Sequence, residues 1–326
     1  MPIKKKALLL LTASALTIQL VTSLDRSTSQ TLEIARSQAI PKTTQQLAQA
    51  PLKRLVIVFA TRRDATDLDK KSETVAKFLS KQLGIPVEVV IADETAAVEA
   101  LRANRADVAF LGGRAALRAE KTTGARMYLA EIRSDYSGGH TYNSVLVVRR
   151  DSPLKKLSSE KQTLSQLRGK RMAFASRTSG SGFIIPTSEF VGEGLVANPD
   201  RYGQFFSKVI YGDGYSSALQ AVLKKQADVA AVSEYALNPP WITTEEVKQL
   251  RVIWAIPGVP AHGVVIDDDV PAPMREKIVS AFLKLNEPEN NAMFRALYNS
   301  TKLVKVDHNR HLASMSRALQ RAKLDP

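Results

Sequence analysis

An α/β fold in two lobes is predicted from three features of the sequence. Short apolar runs alternate with helix-periodic stretches over residues 52–111, the same alternation restarts after residue 150, and one seven-residue pattern recurs in both halves. Strands alternating with helices imply a mostly parallel sheet flanked by helices in each lobe.

The elements follow in order. Leu55-Val56-Ile57-Val58-Phe59 is a short, wholly apolar strand. Ser72 is the expected cap of a helix whose Val75, Phe78, Leu79 and Leu83 share a face, and Gly84 stands where a helix ends. Val87 to Ile91 is a second strand. Thr95 is the expected cap of the next helix, with Val98 and Leu101 inward, and Val108 to Leu111 is a third strand. Ser144 to Val148 leads into the charged Arg149-Arg150-Asp151-Ser152-Pro153, where the chain is expected to cross between lobes. Strands at 171–175, 209–211 and 228–232 build the second lobe, with a helix opening at Ser216 or Ser217. Residues 251–254 and 263–266 return the chain, and helices near 272–286, 288–300 and 307–323 close it. The expected division is 51–148 with 256–326 in lobe 1 and 149–255 in lobe 2, joined by two hinge strands. Ala103-Asn104-Arg105-Ala106-Asp107-Val108-Ala109 and Lys224-Lys225-Gln226-Ala227-Asp228-Val229-Ala230 share the form x-x-x-A-D-V-A. This marks related lobes or a common helix-to-strand turn in which Asp fixes the bend.

The N-terminus reads as a targeting segment. Lys4, Lys5 and Lys6 precede an uncharged stretch from Ala7 to Val21, too short for a comfortable membrane span and suited to a signal-peptide core. Residues 1–24 are therefore a signal peptide or N-terminal anchor. Cleavage near Ser23 or after Ala48-Gln49-Ala50 fits, and residues 25–50, rich in Ser, Thr and Gln, form a disordered linker.

Composition narrows the chemistry. The chain has 326 residues, 44% hydrophobic and 24% charged, enough for a sizeable core. Its net charge is +14, of which residues 1–50 supply +4 from six Lys/Arg against two Asp/Glu. Such a field favours anionic partners. No basic run or aromatic-interleaved stripe points to nucleic acid. The chain has no cysteine, which excludes disulfides, thiolate metal sites, cysteine nucleophiles and a lipid-bearing N-terminal cysteine.

Four segments are candidates for binding. Arg177-Thr178-Ser179-Gly180-Ser181-Gly182 follows a strand and precedes an apolar run. A turn of this kind presents backbone N–H groups, hydroxyls and a helix N-terminus to one point, and Arg177 adds a charge; the alternative is a surface turn with a capped helix. Tyr142-Asn143-Ser144 begins the crossing strand and directs a hydroxyl at the cleft, or else at water. Arg114 after Gly112-Gly113, and Arg62 after the first strand, lie at carboxyl ends of strands, where open α/β sheets bind ligands; solvated arginines are the alternative. Gly212-Asp213-Gly214-Tyr215 is a further turn before a helix, in which Asp213 opposes an anion and so caps the helix or meets a cation. Catalysis is weakly supported. Of His140, His262, His308 and His311, the last two are spaced i, i+3 on what reads as a surface helix with no nearby acid to complete a metal set, and no phosphate-binding, zinc-protease or serine-elbow motif is present. No cofactor and no metal are expected.

These segments, in this order, resemble the phosphonate/phosphite-binding proteins of ABC importers, which have the type II periplasmic-binding fold. The resemblance runs from about residue 53 to 285. It is carried by Leu83 to Glu88, Ala106 to Gly112, Tyr142 to Ser152, Leu167 to Arg171, Ser179 to Pro186 and Ala218 to Val222. It implies two lobes closing on a ligand, with Tyr142, Ser179 and Ser181 as ligand contacts. Gly180 stands where the family has Thr, Tyr215 where it has His, Ser233 where it has an acid (Glu234 is adjacent), and Gly113 where it has Pro. The missing acid, which in the family can hold an amino group, favours phosphate, phosphite or a simple phosphonate. The expected function is an extracytoplasmic solute-binding component of an importer, with Tyr142, Thr178, Ser179, Gly180, Ser181, Tyr215, Arg62, Arg114 and Arg177 at the ligand. It is expected to be a monomer in the periplasm or at the outer face of the cytoplasmic membrane, partnered by an ABC permease and not by nucleic acid. A sensory protein on the same fold is the alternative, followed by an enzyme.

Overall fold

The computed structural model describes residues 52–62 and 67–326, so the expectations for the targeting segment and linker lie outside the described residues. Among the described residues eleven strands form two sheets. The first contains β1 (Leu55–Ala60), β2 (Val87–Ala92), β3 (Val108–Leu111), β4 (Arg126–Ile132), β10 (Gly263–Ile266) and β11 (Lys302–Lys305), in the order β11-β4-β10-β3-β1-β2. The second contains β5 (Thr141–Arg149), β6 (Arg171–Phe174), β7 (Lys208–Tyr211), β8 (Val229–Ser233) and β9 (Leu250–Pro260), in the order β7-β6-β8-β5-β9. Helices α1 (Leu68–Leu83), α2 (Glu94–Arg102), α3 (Gly113–Thr123), α4 (Glu160–Ser165), α5 (Ile185–Gly192), α6 (Tyr215–Leu223), α7 (Thr244–Val247), α8 (Ala272–Leu283), α9 (Pro288–Tyr298) and α10 (His308–Ala322) cover them. Both sheets lie within one compact unit, Gln49–Pro326.

The α/β, two-sheet expectation holds, with one refinement. β1 is parallel to β2 and β3, and β6 is parallel to β7 and β8, but β4, β10 and β11 and the pair β5/β9 run antiparallel to their neighbours. Each sheet thus has a parallel core extended by antiparallel strands. The wholly apolar run of β1 follows from burial on both faces. Leu55, Ile57 and Phe59 pack into one core cluster and Val56 and Val58 into another, because successive strand residues face opposite sides.

Four sequence expectations are corrected. The first helix starts at Leu68 after Asp67, with Ser72 buried inside it and its hydroxyl bonded to Asp69 O at 2.8 Å. The second starts at Glu94, because the Asp93 carboxylate accepts Ala96 N at 2.9 Å, ahead of Thr95. β4, β11 and α3 were not anticipated; β11 is only four residues long, and α3 is mostly Ala, Arg and Lys rather than large apolar residues. The fourth concerns the crossings. β5 and β9 both pair inside the five-stranded sheet, so the chain leaves the first sheet after Ile132 and returns after Pro260, not at 148/149 and 255/256. The two crossings lie side by side, with Ala261 N donating to His140 O at 3.1 Å and Glu131 N to His262 O at 2.8 Å.

The repeated pattern performs the same task in both lobes. Asp107 N donates to Val56 O (2.9 Å) while Val56 N donates to Asp107 Oδ2 (2.6 Å). Asp228 N donates to Arg171 O (2.8 Å) while Arg171 N donates to Asp228 Oδ2 (2.8 Å). Each Asp therefore splices its strand to the parallel strand beside it, β1 in one sheet and β6 in the other. Asn104 and Lys225, at matching positions, both turn the chain with positive φ (51° and 58°).

Candidate functional site

A cleft of about 440 Å³ lies where turns from both sheets converge. From the six-stranded side come Thr61 and Arg62 after β1, Asp93 and Glu94 after β2, and Gly112 to Arg114 after β3. These are carboxyl ends of parallel strands, where the helix that follows turns its N-terminus toward the opening. From the five-stranded side come Ser176, Thr178, Ser179 and Gly180 after β6, Asp213 to Tyr215 after β7, and Tyr142, Tyr235 and Trp241.

The Ser/Gly turn opens a continuous helical run, Gly180–Ile184 followed by α5. Its first turn is wide, with Ile184 N bonded to Ser179 O at 3.0 Å. Ser179 Oγ caps it by accepting Gly182 N at 3.0 Å. Glycine is required at 182, since a Cβ there would fall 2.4 Å from Ala175 Cβ. Ser181 is fully buried and absent from the cleft lining. Its hydroxyl lies 2.7 Å from Tyr215 OH and its carbonyl accepts Ser144 Oγ at 2.6 Å, so it holds the turn against β5 and α6. Arg177 also faces elsewhere. Its guanidinium lies 3.9 Å over the Tyr211 ring, and it lines a separate recess. Tyr142, Thr178, Ser179, Gly180, Tyr215, Arg62 and Arg114 line one cleft.

The tyrosines form one aromatic wall. Tyr142 packs edge-on to Tyr235 (5.1 Å) and Tyr235 edge-on to Tyr215 (5.7 Å), which meets Trp241 (5.2 Å). Burial pushes the Tyr142 and Tyr235 phenols well above the usual tyrosine range, and Tyr215 beside them adds to this. Both therefore remain protonated donors.

Arg62 is held by a buried network invisible in the sequence. Its Nη1 reaches Glu131 Oε1 and Oε2 at 3.0 and 3.1 Å, and its guanidinium lies 4.9 Å over the Tyr298 ring. Tyr136 OH donates to Glu131 Oε1 at 2.8 Å, and Ser300 Oγ donates to Oε2. Burial alone would raise the Glu131 pKa. Arg62, then His262 and Arg133, with the Ser300 bond, reverse this and keep it below the usual carboxylate range. Arg62 thus reaches the cleft with its charge already partnered. Burial and then Arg118 lower the pKa of Arg114, whose Nη2 donates to Asp325 O at 3.2 Å.

Glu94, His262, Tyr235, Trp241 and Met315 were missed as lining residues. The strand-end rule that selected Arg62 and Arg114 applies equally to Asp93-Glu94 after β2. Glu94 Oε1 accepts Gly112 N at 2.6 Å and lies 3.6 Å from His262 Nε2. The turn after β7 has its N–H groups engaged, with Gly212 N on Phe174 O, Gly214 N on Ala175 O and Asp213 N on Ser217 Oγ, each at 2.8 Å. Gly214, not Asp213, is the residue preceding α6. Glu234 does not stand in for an acid at Ser233, because its carboxylate is engaged by Ser137 N and Oγ and by Asn143 N and Nδ2 at 2.8–3.0 Å. Among the described residues the buried Ser233 hydroxyl has no hydrogen-bond partner. His308 and His311 serve packing on α10, accepting Met127 N at 2.7 Å and lying 3.1 Å from Ala261 O respectively.

Residues 57–312 match the family described as ABC transporter, phosphonate, periplasmic substrate-binding protein. The chain belongs to this family. It is 27% identical over 222 residues to the phosphonates-binding periplasmic protein of Escherichia coli, covering 67% of this chain and 62% of that protein. It is 28% identical over 196 residues to the phosphate-import protein PhnD of Mycolicibacterium smegmatis, covering 59% of each. The chain thus spans about three fifths of the length of these curated relatives. The structure of PhnD1 from Prochlorococcus marinus in complex with methylphosphonate superposes with a TM-score of 0.66 at 20% identity, over 83% of this chain and 98% of that one, which establishes a shared fold. Among the described residues no helix is long and apolar enough to cross a membrane.

Proposed function

We propose that this chain is the extracytoplasmic solute-binding component of an ABC importer and captures a small phosphorus oxyanion (phosphate, phosphite or a simple phosphonate) in the cleft. The single observation that carries this reading is the convergence of Thr178, Ser179 and Gly180, at the head of a helical run, with Arg62 and Arg114 from the opposite sheet. Hydroxyls and a helix N-terminus stabilise anionic oxygens, and arginine adds charge and geometric selectivity. Family membership supports the location outside the cytoplasmic membrane and a permease as partner.

The binding cycle follows from the paired crossings at residues 133–140 and 261–262. Two adjacent short connections permit the sheets to rotate toward each other, and a ligand bonded to both lobes favours the closed arrangement that a permease reads. Nothing in the cleft requires bond breaking: the Tyr142 and Tyr235 phenols stay protonated, the Tyr215 hydroxyl is shared with Ser181 Oγ, and Ser179 is occupied as a cap. The protein acts as a monomer and does not act on nucleic acid. Calorimetric titration of the full chain with phosphate, phosphite, methylphosphonate and 2-aminoethylphosphonate tests the proposal. Binding of one or more, weakened at least about tenfold in Arg114→Ala because a charge-assisted bond is lost, is expected. No heat and no thermal stabilisation with any of the four would overturn it.

A further inference from the structure

The cleft wall contributed by α10 has a different character from the anion-binding turns. Met315 lines the cleft and is 1% exposed. It lies between two glycine-bearing turns, one from each sheet. A Cβ built on Gly180 would fall 2.8 Å from Met315 Cε, and one built on Gly113 would fall 3.6 Å from Met315 Cβ and 2.7 Å from Pro260 Cγ. At Gly113 the Pro260 ring leaves no room for a side chain, and at Gly180 a Cβ would require the Met315 methyl to move aside, so Pro260 and Met315 fill the space beside the two turns.

From this geometry we infer that Met315 is a specificity-determining residue, and that with Val259 and Pro260 it forms an apolar stop that admits a phosphonate bearing at most a short carbon substituent. The inference rests on the function proposed above and names its substrate class. A thioether, a valine and a proline ring offer no donor to a phosphoryl oxygen, so this wall repels the ionised end of the ligand and suits a carbon group. The wall is also held in place. Ser314 Oγ bonds Gly258 O at 2.7 Å and His311 Nε2 lies 3.1 Å from Ala261 O, which fixes the turn of α10 leading into Met315 against β9 and the crossing. A longer substituent has to displace the Met315 side chain, because the backbone behind it is tied down.

The test compares methylphosphonate with n-butylphosphonate by calorimetry on the full chain. The wild type is expected to favour methylphosphonate by at least about tenfold, the range that a few methylenes in a closed pocket command. Met315→Ala is expected to shrink that ratio at least about fivefold, chiefly by tightening butylphosphonate, whereas Met315→Leu, which conserves volume, keeps the wild-type ratio. Should Met315→Ala not fold, Met315→Val carries the test with the same direction of change. Wild-type binding with a ratio unchanged in the folded truncation variant overturns this inference alone. Absence of binding of every phosphorus oxyanion by the wild type overturns the proposed function and this inference with it.

Discussion

Replacing Glu131 by Gln keeps the shape of a buried side chain and deletes its charge. The wild-type carboxylate is fully buried and meets the Arg62 guanidinium, the Tyr136 hydroxyl at 2.8 Å and the Ser300 hydroxyl, and the Arg62 side chain is itself only 8% exposed. Removing one member of a buried ion pair costs about 3–5 kcal/mol, because the remaining charge loses its compensation. Gln retains one acceptor oxygen for Tyr136 or Ser300, so about 3 kcal/mol is expected. At about 2.1 cal/mol/K of unfolding entropy per residue, that corresponds for the unit Gln49–Pro326 to a fall in Tm of roughly 5 °C. Scanning calorimetry at pH 7 measures it, with Arg62→Met and the double variant completing a cycle. The double variant should lose less than the sum of the singles, since both charges leave together. The sign of the pH dependence follows from the depressed pKa. A carboxyl held below its unfolded value near 4.5 contributes stability above that pH and loses it as pH falls further, so the gap between wild type and Glu131→Gln should narrow below about pH 4.5. A Tm within about 2 °C of wild type, or strict additivity in the cycle, would refute the reasoning.

Two further outcomes are expected. Burial lowers the pKa of His311 to about 4, against the opposing effect of its bond to Ala261 O, so the unfolded chain takes up a proton between about pH 6.5 and 4 that the folded chain refuses. The wild type should therefore lose about 3 kcal/mol over that interval relative to His311→Gln, read as the difference between their denaturant midpoints against pH; parallel profiles would contradict it. Gly182→Ala should destabilise by about 1–3 kcal/mol, since its Cβ would meet Ala175 Cβ at 2.4 Å and Ala231 O at 3.3 Å, and should weaken anion binding by moving the Ser179 cap; unchanged Tm and affinity would show that the turn relaxes freely.

The alternation of apolar strands with amphipathic helices was legible because each signal is local. Strands β1, β3 and β8 are buried on both faces and read as unbroken apolar runs. The repeated Asp pattern was legible for the same reason, and the structure gives each Asp the same backbone partners. The Ser/Gly turn and Tyr142 were found from chemistry plus position after or at a strand. What escaped was decided by neighbours remote in sequence. Ser181 matched a ligand contact and is instead buried under Tyr215, 34 residues away. Arg177, adjacent to the right turn, is drawn onto the Tyr211 ring. Arg62 lines the cleft, but Glu131 and Tyr298, which hold it, come from β4 and α9.

By itself the sequence determined the α/β class, the recurrence of one Asp-bearing helix-to-strand turn in both sheets, the Ser/Gly turn ahead of a helix and the absence of any cysteine chemistry, because periodicity, turn residues and composition act over a few positions. Only the tertiary structure decided where the chain crosses between sheets, which hydroxyls and arginines share the cleft, and that Met315 fills the space beside Gly180. Those outcomes depend on which distant side chains compete for the same volume and the same hydrogen-bond partners, and that competition exists only once the two sheets and the last helix have packed together.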